Sequence, residues 1–265
     1  MARHRWVRWL AAGLILVVGF AVAGPFVFIH FIEGPAKPEL TLPKARATSP
    51  SSTGATSLTG TWNVTSGSKA GYRVREVLLG QSATAVGRTT DVSGALVLDG
   101  TVLRAARFSV PLETVVSDQG ERNVAFRTRI MDVARFPTAR FVLASPVSLG
   151  RLPAPDKIIA REAHGDLTMH GVTHALAVKI SAERTGDSIY VLADATVVFA
   201  DWHIQNPSVG GFVTTASQGT LEVLLHLVQG AVATTTTTIV PNPGGAGGVT
   251  LPATTVPPLS LKPRR

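Results

Sequence analysis

GDLTMHGVTHAL, residues 165–176, is the stretch on which the fold turns. Leu167 and Met169 read as one face of a strand. That strand ends beside His170 in a tight Gly171-Val172 turn, and the chain returns through His174. Two imidazoles flanking a turn pose a choice between a metal or catalytic pair and a plain hairpin tip. His164 stands one strand-length earlier, so convergence on a metal is geometrically open. Zinc, however, takes three or four ligands in a closed or nearly closed shell. No helical His-x-x-x-His with an intervening acid occurs here. The residues favour a hairpin whose imidazoles are exposed or hydrogen-bonded, with no metal and no cofactor.

The same period of two runs outward from this hairpin. In GYRVREVLL, Tyr72 and Val74 alternate with Arg73 and Arg75. In ATVVFADWHI, Ala195, Val197 and Phe199 share a face. TLEVLLHLV sets Leu221, Val223, Leu225 and Leu227 against Glu222, Leu224 and His226. Asp99-Gly100 and Thr185-Gly186-Asp187 supply turn signals between strand-like runs. Short strands separated by turn residues predict an all-β fold, an antiparallel barrel or sandwich. One segment departs from the pattern. Asp118 precedes Glu121 by three residues, as in a capping box, and Val124, Phe126, Ile130 and Val133 follow near helical spacing. A short amphipathic helix is predicted there, ending before Pro137, with Phe126 or Ile130 packed on the barrel.

The folded zone spans about residues 61–229. Ahead of it, residues 1–8 carry Arg3, Arg5 and Arg8, and residues 9–32 contain no Asp, Glu, Lys or Arg. Such a run is long enough to cross a hydrocarbon core of roughly 30 Å as a helix. The flanking arginines place the N-terminus in the cytoplasm and the remainder outside the cell membrane. Ala21-Val22-Ala23 offers a cleavage site, so a secreted chain is the rival. Apolar sequence continuing through PFVFIHFI argues for an uncleaved, single-pass anchor. Residues 33–60 are a Pro/Ser/Thr linker, and residues 230–265 a Thr/Pro/Gly-rich tail predicted to be disordered.

Composition narrows the chemistry. The chain has 265 residues, a net charge of +8 and no cysteine, which removes thiolate nucleophiles, zinc-thiolate sites and disulfides together. The basic charge is dispersed and aromatics are only 6% of residues, so no stacking platform for nucleic acid exists. Ser109, Ser117 and Ser208 lack a nucleophile elbow. Asp166, Asp194 and Asp201 read as solvent-facing or turn-capping acids. SVGG at 208–211 leads into a strand rather than a helix N-terminus, so it makes no phosphate cradle. No catalytic constellation emerges, and the expectation is a protein that is not an enzyme.

At the level of ordered landmarks, about residues 61–229 resemble the YceI-like family of exported lipid- or polyisoprenoid-binding domains. TWNVTSGSKAGYRVRE is similar to its opening strand pair and TTDVSGALVLDG to its second hairpin. VPLETVVSDQGERNVAFRTRIMDVARFPTARF is similar to its strand, helix and aromatic-Pro-x-x-x-Phe loop. GDLTMHGVTHAL is similar to its Gly-Asp-Leu-Thr-x-x-Gly-Val-Thr hairpin, and FADWHI to an Asp-aromatic-Gly-Ile piece. Two departures stand out: Leu78-Leu79-Gly80 occupies the place of a frequent histidine, and His203 the place of the glycine.

The resemblance implies a lipocalin-like barrel of about eight strands holding an isoprenoid or fatty-acyl lipid; the membrane contact is the one predicted by the apolar run 9–32. Ala95, Ala106, Ala193 and Ala195 would leave room along its axis. Expected tunnel residues are Tyr72, Val74, Phe108, Val110, Phe141, Leu167, Met169, Val197 and Phe199. An anionic head group would be met at the mouth by Arg127, Arg129 and His170. The reading is a membrane-anchored extracytoplasmic carrier for a long apolar ligand. Two alternatives stay open: a lipid-acting enzyme using His170, His174, His203 and Asp201, and a non-binding module of the cell envelope. The sequence also leaves a homodimer open.

Overall fold

Period-two patterning becomes twelve antiparallel strands in the computed structural model, which describes residues 13–14, 17, 36–43, 58–78, 80–150, 157–208 and 213–230. The strands are β1 (Gly60–Val64), β2 (Lys69–Leu78), β3 (Gln81–Thr89), β4 (Ser93–Asp99), β5 (Val102–Pro111) and β6 (Thr138–Leu143). They continue with β7 (Val147–Ser148), β8 (Ile159–Met169), β9 (Val172–Thr185), β10 (Ser188–Val198), β11 (Val213–Thr215) and β12 (Gln218–Gln229). Eight of them form a closed ring in the order β1-β4-β5-β6-β8-β9-β10-β12, and β12 returns to β1. Closure removes the free edges that would otherwise template aggregation.

Strand β12 is the seam. Along one side it pairs with β10 from Gln218 to Val228. Its other side is shared: Thr220–Leu224 pair with β2, and Leu227–Gln229 with β1. The β2–β3 hairpin and β11 therefore hang on the ring as an extra flap. Arg88 of β3 makes one bridge to Val116, which ties that flap to the chain beyond β5.

The opening hairpin forms, with one correction to its tip. Met169 pairs with Val172, so the two turn residues are His170 and Gly171 rather than Gly171 and Val172. Both have positive φ, 50° and 77°, as a tight two-residue hairpin turn requires. Gly171 is also sterically fixed, because an added Cβ would lie 2.5 Å from the Phe136 ring.

Helix α1 (Gly120–Ala125) runs on as a single π-turn over Phe126–Ile130. The predicted capping box does not form. The N-cap is Gln119, with no side-chain cap bond, while Asp118 instead pairs with Arg122 at 2.6 Å. Asn123 Oδ1 accepts hydrogen bonds from the Ser117 backbone N–H and hydroxyl, and these fix the entry to the helix. The π-turn is closed by the Met131 N–H on the Phe126 carbonyl. It swings Phe126 inward, where only 8% of it is exposed, and leaves Val124 facing solvent.

The linker is not featureless where it is described. Residues 36–43 lie against the outer wall, where Arg73 donates to the Lys37 carbonyl and Arg88 to the Pro38 carbonyl. The same two arginines clasp Glu222 at 2.7 and 2.8 Å. Glu222 is 3% exposed. The fold proper begins slightly before its predicted start, with Leu58 buried and accepting the Trp62 indole N–H on its carbonyl. Of the predicted span 9–32, only Gly13, Leu14 and Val17 are described, as exposed helical residues. Among the described residues no helix is long and apolar enough to cross a membrane. The remainder of that span and the tail beyond Gly230 lie outside the described residues.

Candidate functional site

Inward-facing side chains of the ring form two packed groups. One gathers Leu58, Trp62, Leu96, Leu98, Leu103, Ile189 and Leu227. The other gathers Leu112, Val115, Phe126, Met131, Leu167, Met169, Val197 and Trp202. Between and along them runs a cavity of about 320 Å³ whose walls are overwhelmingly apolar. Its size lies in the range of small-molecule binding sites, which typically begin at ~300 Å³. Small side chains keep it open: Ala106, Ala163, Ala193 and Ala195 line it. Ala95 does not, because it alternates with the inward Leu96 on β4 and faces out.

The nine side chains expected in the tunnel all lie on this cavity: Tyr72, Val74, Phe108, Val110, Phe141, Leu167, Met169, Val197 and Phe199. The expected head-group residues lie elsewhere. Arg129 is exposed on the π-turn, Arg127 is half-buried, and neither lines the cavity. His170 sits on the hairpin tip, donates Nδ1–H to the Trp202 carbonyl at 3.0 Å and meets the Phe136 ring edge-on. His174 packs edge-on against the other part of the same structure, the Trp202 indole, at 5.3 Å. Trp202 is 2% exposed and donates its indole N–H to the Leu167 carbonyl. The two imidazoles thus brace a buried tryptophan. His164 points elsewhere, toward Glu162 at 3.4 Å. Among the described residues, no three His, Cys, Asp or Glu side chains gather where a metal could bind.

Polar groups do reach the cavity, at a place the sequence reading passed over. Tyr72, Val74 and Glu76 share the inward face of β2, and Thr215 of β11 is the register partner of Glu76. Arg122 of α1 extends to the same place and lies 3.7 Å from Glu76. The Tyr72 ring stacks on Phe126 at 5.2 Å, nearly parallel. The ring also lies over Gly87, where any Cβ would come within 2.4 Å of it. Burial pushes the Tyr72 phenol up to about 12, against the pull of Arg122 and with reinforcement from Glu76 and Asp118. The phenol is therefore a neutral donor at every physiological pH. Alternation continued two residues past Val74 would have placed Glu76 here. Nothing local announces Arg122 or Thr215.

On the outer wall, β10 sets Asp194 opposite Glu222. Burial, then Glu222 and Glu39, hold its carboxyl above the ordinary value, and Lys179 acts in the opposite direction.

The YceI-like domain profile matches residues 62–227, well over half of the chain. UPF0312 proteins of Pseudomonas savastanoi pv. phaseolicola and Pseudomonas syringae pv. syringae are 29% identical over 103 residues. That match covers 38% of this chain, which spans about half the length (50%) of those curated relatives. In three dimensions, a polyisoprenoid binding domain from Saccharophagus degradans, implicated in plant cell wall breakdown, superposes with a TM-score of 0.52 at 15% identity. It covers 65% of this chain and 99% of its own. The fold is shared with that domain, and the chain belongs to the YceI-like domain family.

Proposed function

We propose that the protein is a carrier that holds one long apolar molecule, an isoprenoid or fatty-acyl lipid, inside the barrel. The observation that carries this reading is a closed strand wall around a hollow, alanine-relieved apolar lumen of about 320 Å³. A barrel of eight strands has interior enough either to be filled by its own side chains or to admit one small ligand. Here the inward alanines, Ala106, Ala163, Ala193 and Ala195 among them, favour the second outcome. Each methylene moved from water into such a lumen contributes ~0.8 kcal/mol, so a prenyl or acyl tail binds without any chemical step. The polyisoprenoid binding domain of Saccharophagus degradans supports the isoprenoid as first choice.

Delivery follows from the sequence. The apolar run 9–32 tethers the barrel to a membrane, with the domain on the extracytoplasmic side where the lipid is collected or released. Organic extraction of the purified protein, followed by mass spectrometry, tests the binding proposal. A single class of chain-like lipid at near one per protein is expected. A protein that yields no lipid and takes up neither prenyl nor acyl probes contradicts it. Fractionation of cells tests the tether, which predicts the full-length chain in the membrane fraction and its release on removal of residues 1–32.

A further inference from the structure

Part of the linker that the sequence offers as a spacer is taken up by the barrel itself. Residues 36–43 are fastened to the outer wall where Arg73 of β2 donates to the Lys37 carbonyl at 2.8 Å and Arg88 of β3 to the Pro38 carbonyl. Both guanidinium groups are held in turn by the buried carboxylate of Glu222 on β12. The fastening is therefore built on three strands and not on loose surface side chains.

The chain past these two carbonyls has the pattern of a segment laid on a surface. Leu40 and Leu42 are half-buried, while Glu39, Thr41 and Pro43 are exposed. Pro38 and Pro43 each restrict φ, which lowers the entropy lost when the segment is laid down. The wall is also closed to solvent on this face: Val86, the register partner of Arg73, is 2% exposed although it does not line the cavity. One contact opposes docking, since Glu39 acts on the Asp194 carboxyl as a like charge.

Reach decides what such a linker can do. From Ile32, the end of the apolar run, to the fastened Lys37 is five residues, ~18 Å at full extension. From Ile32 to Leu58, where the fold proper begins, is twenty-six residues, ~90 Å at full extension. We infer that residues 36–43 are a docked strap, and that the patch of outer wall around Glu222 is thereby held beside the membrane. Residues 44–57 then add nothing to the length of the tether. This rests on the tether in the carrier reading and sets the distance of the barrel within it.

Insertions distinguish a docked strap from an idle linker. Twenty Gly/Ser residues add roughly 25 Å of root-mean-square reach. They are placed after Gly34 in one variant and after Ser51 in another, clear of the fastened carbonyls. The chain has no cysteine, so Lys69→Cys, at an exposed position on β2, takes a single donor dye. Each full-length protein is reconstituted in phosphatidylcholine vesicles carrying a headgroup-labelled acceptor lipid, and energy transfer is read. The insertion after Gly34 should lower transfer by about twofold or more, and the insertion after Ser51 should leave it unchanged. A Ser51 insertion that lowers transfer as much as the other overturns the strap and spares the tether, because the whole linker then acts as one spacer. Transfer unchanged by either insertion also overturns the strap, since another surface then holds the barrel to the lipid. Failure of the protein without insertions to enter the vesicles overturns the tether and the strap with it.

Discussion

His203 shows how one residue carries both a family departure and its physical cost. It follows Asp201 and Trp202, caps the 3-10 turn Phe199–Trp202, and has φ of 54° in the left-handed region. A glycine in the family's pattern is thereby explained, since only glycine adopts that conformation without a Cβ clash. The imidazole is exposed. His203→Gly should raise stability by about 0.5 kcal/mol, relief of left-handed strain less glycine's extra unfolded-state entropy. Urea unfolding checks this, and a loss of stability would contradict it. Tyr72 gives a second residue-scale outcome. Its native value near 12 exceeds the unfolded value of ~10, so the native state holds the proton more tightly. Its contribution is complete below pH ~10 and is lost as pH rises toward 12. Absorbance titration should show a tyrosine step near pH 12, and Tyr72→Phe should remove it.

Among the elements, the clasp on β12 joins two arginines and the linker through one buried carboxylate. Glu222 satisfies Arg73 and Arg88, which in turn hold the Lys37 and Pro38 carbonyls. Glu222→Ala leaves two guanidinium groups partly buried and uncompensated, and should cost about 3 kcal/mol in chemical denaturation. Asp194, its neighbour across the β10–β12 pair, behaves in the opposite sense. Its folded-state carboxyl is raised, so the native state binds its proton more readily than the unfolded chain does. Stability falls as pH rises from the ordinary aspartate range through that raised value. Asp194→Asn should therefore raise the Tm at neutral pH, with the gain vanishing in acid. None of this was legible in sequence. Arg73 and Arg88 lie fifteen residues apart, Glu222 is far beyond both, and only the β2–β3–β12 register joins them. The hairpins were legible because their turns are local: Gly100 and Gly186 sit at positive-φ positions that few other residues accept. Asp118 misled for the converse reason, since its carboxylate found Arg122 one turn along rather than a backbone N–H.

At the scale of the whole molecule, period-two alternation sorted each strand into two faces without saying which points inward, and the nine side chains expected in the tunnel lie on one cavity. Alternation cannot report how much of that axis is left empty. The hollow depends on small side chains from several strands, Ala106 of β5, Ala163 of β8 and Ala193 and Ala195 of β10 among them, a property of closure rather than of any one strand. Arg122 was not legible on the same ground: the π-turn gives the cavity to Phe126 and Ile130, with Arg122 entering from one turn earlier, while Arg127 and Arg129 do not line it. The hollow itself is open to direct test by filling it. Ala195 is 8% exposed and lines the lumen, so Ala195→Phe places a ring where a ligand chain would run. Native mass spectrometry of the wild type and of Ala195→Phe, each titrated with farnesol, gives the most direct measurement. The account predicts one farnesol per wild-type chain and none on a variant that remains folded. A wild type that stays at its bare mass, or a variant that loads equally well, would contradict it.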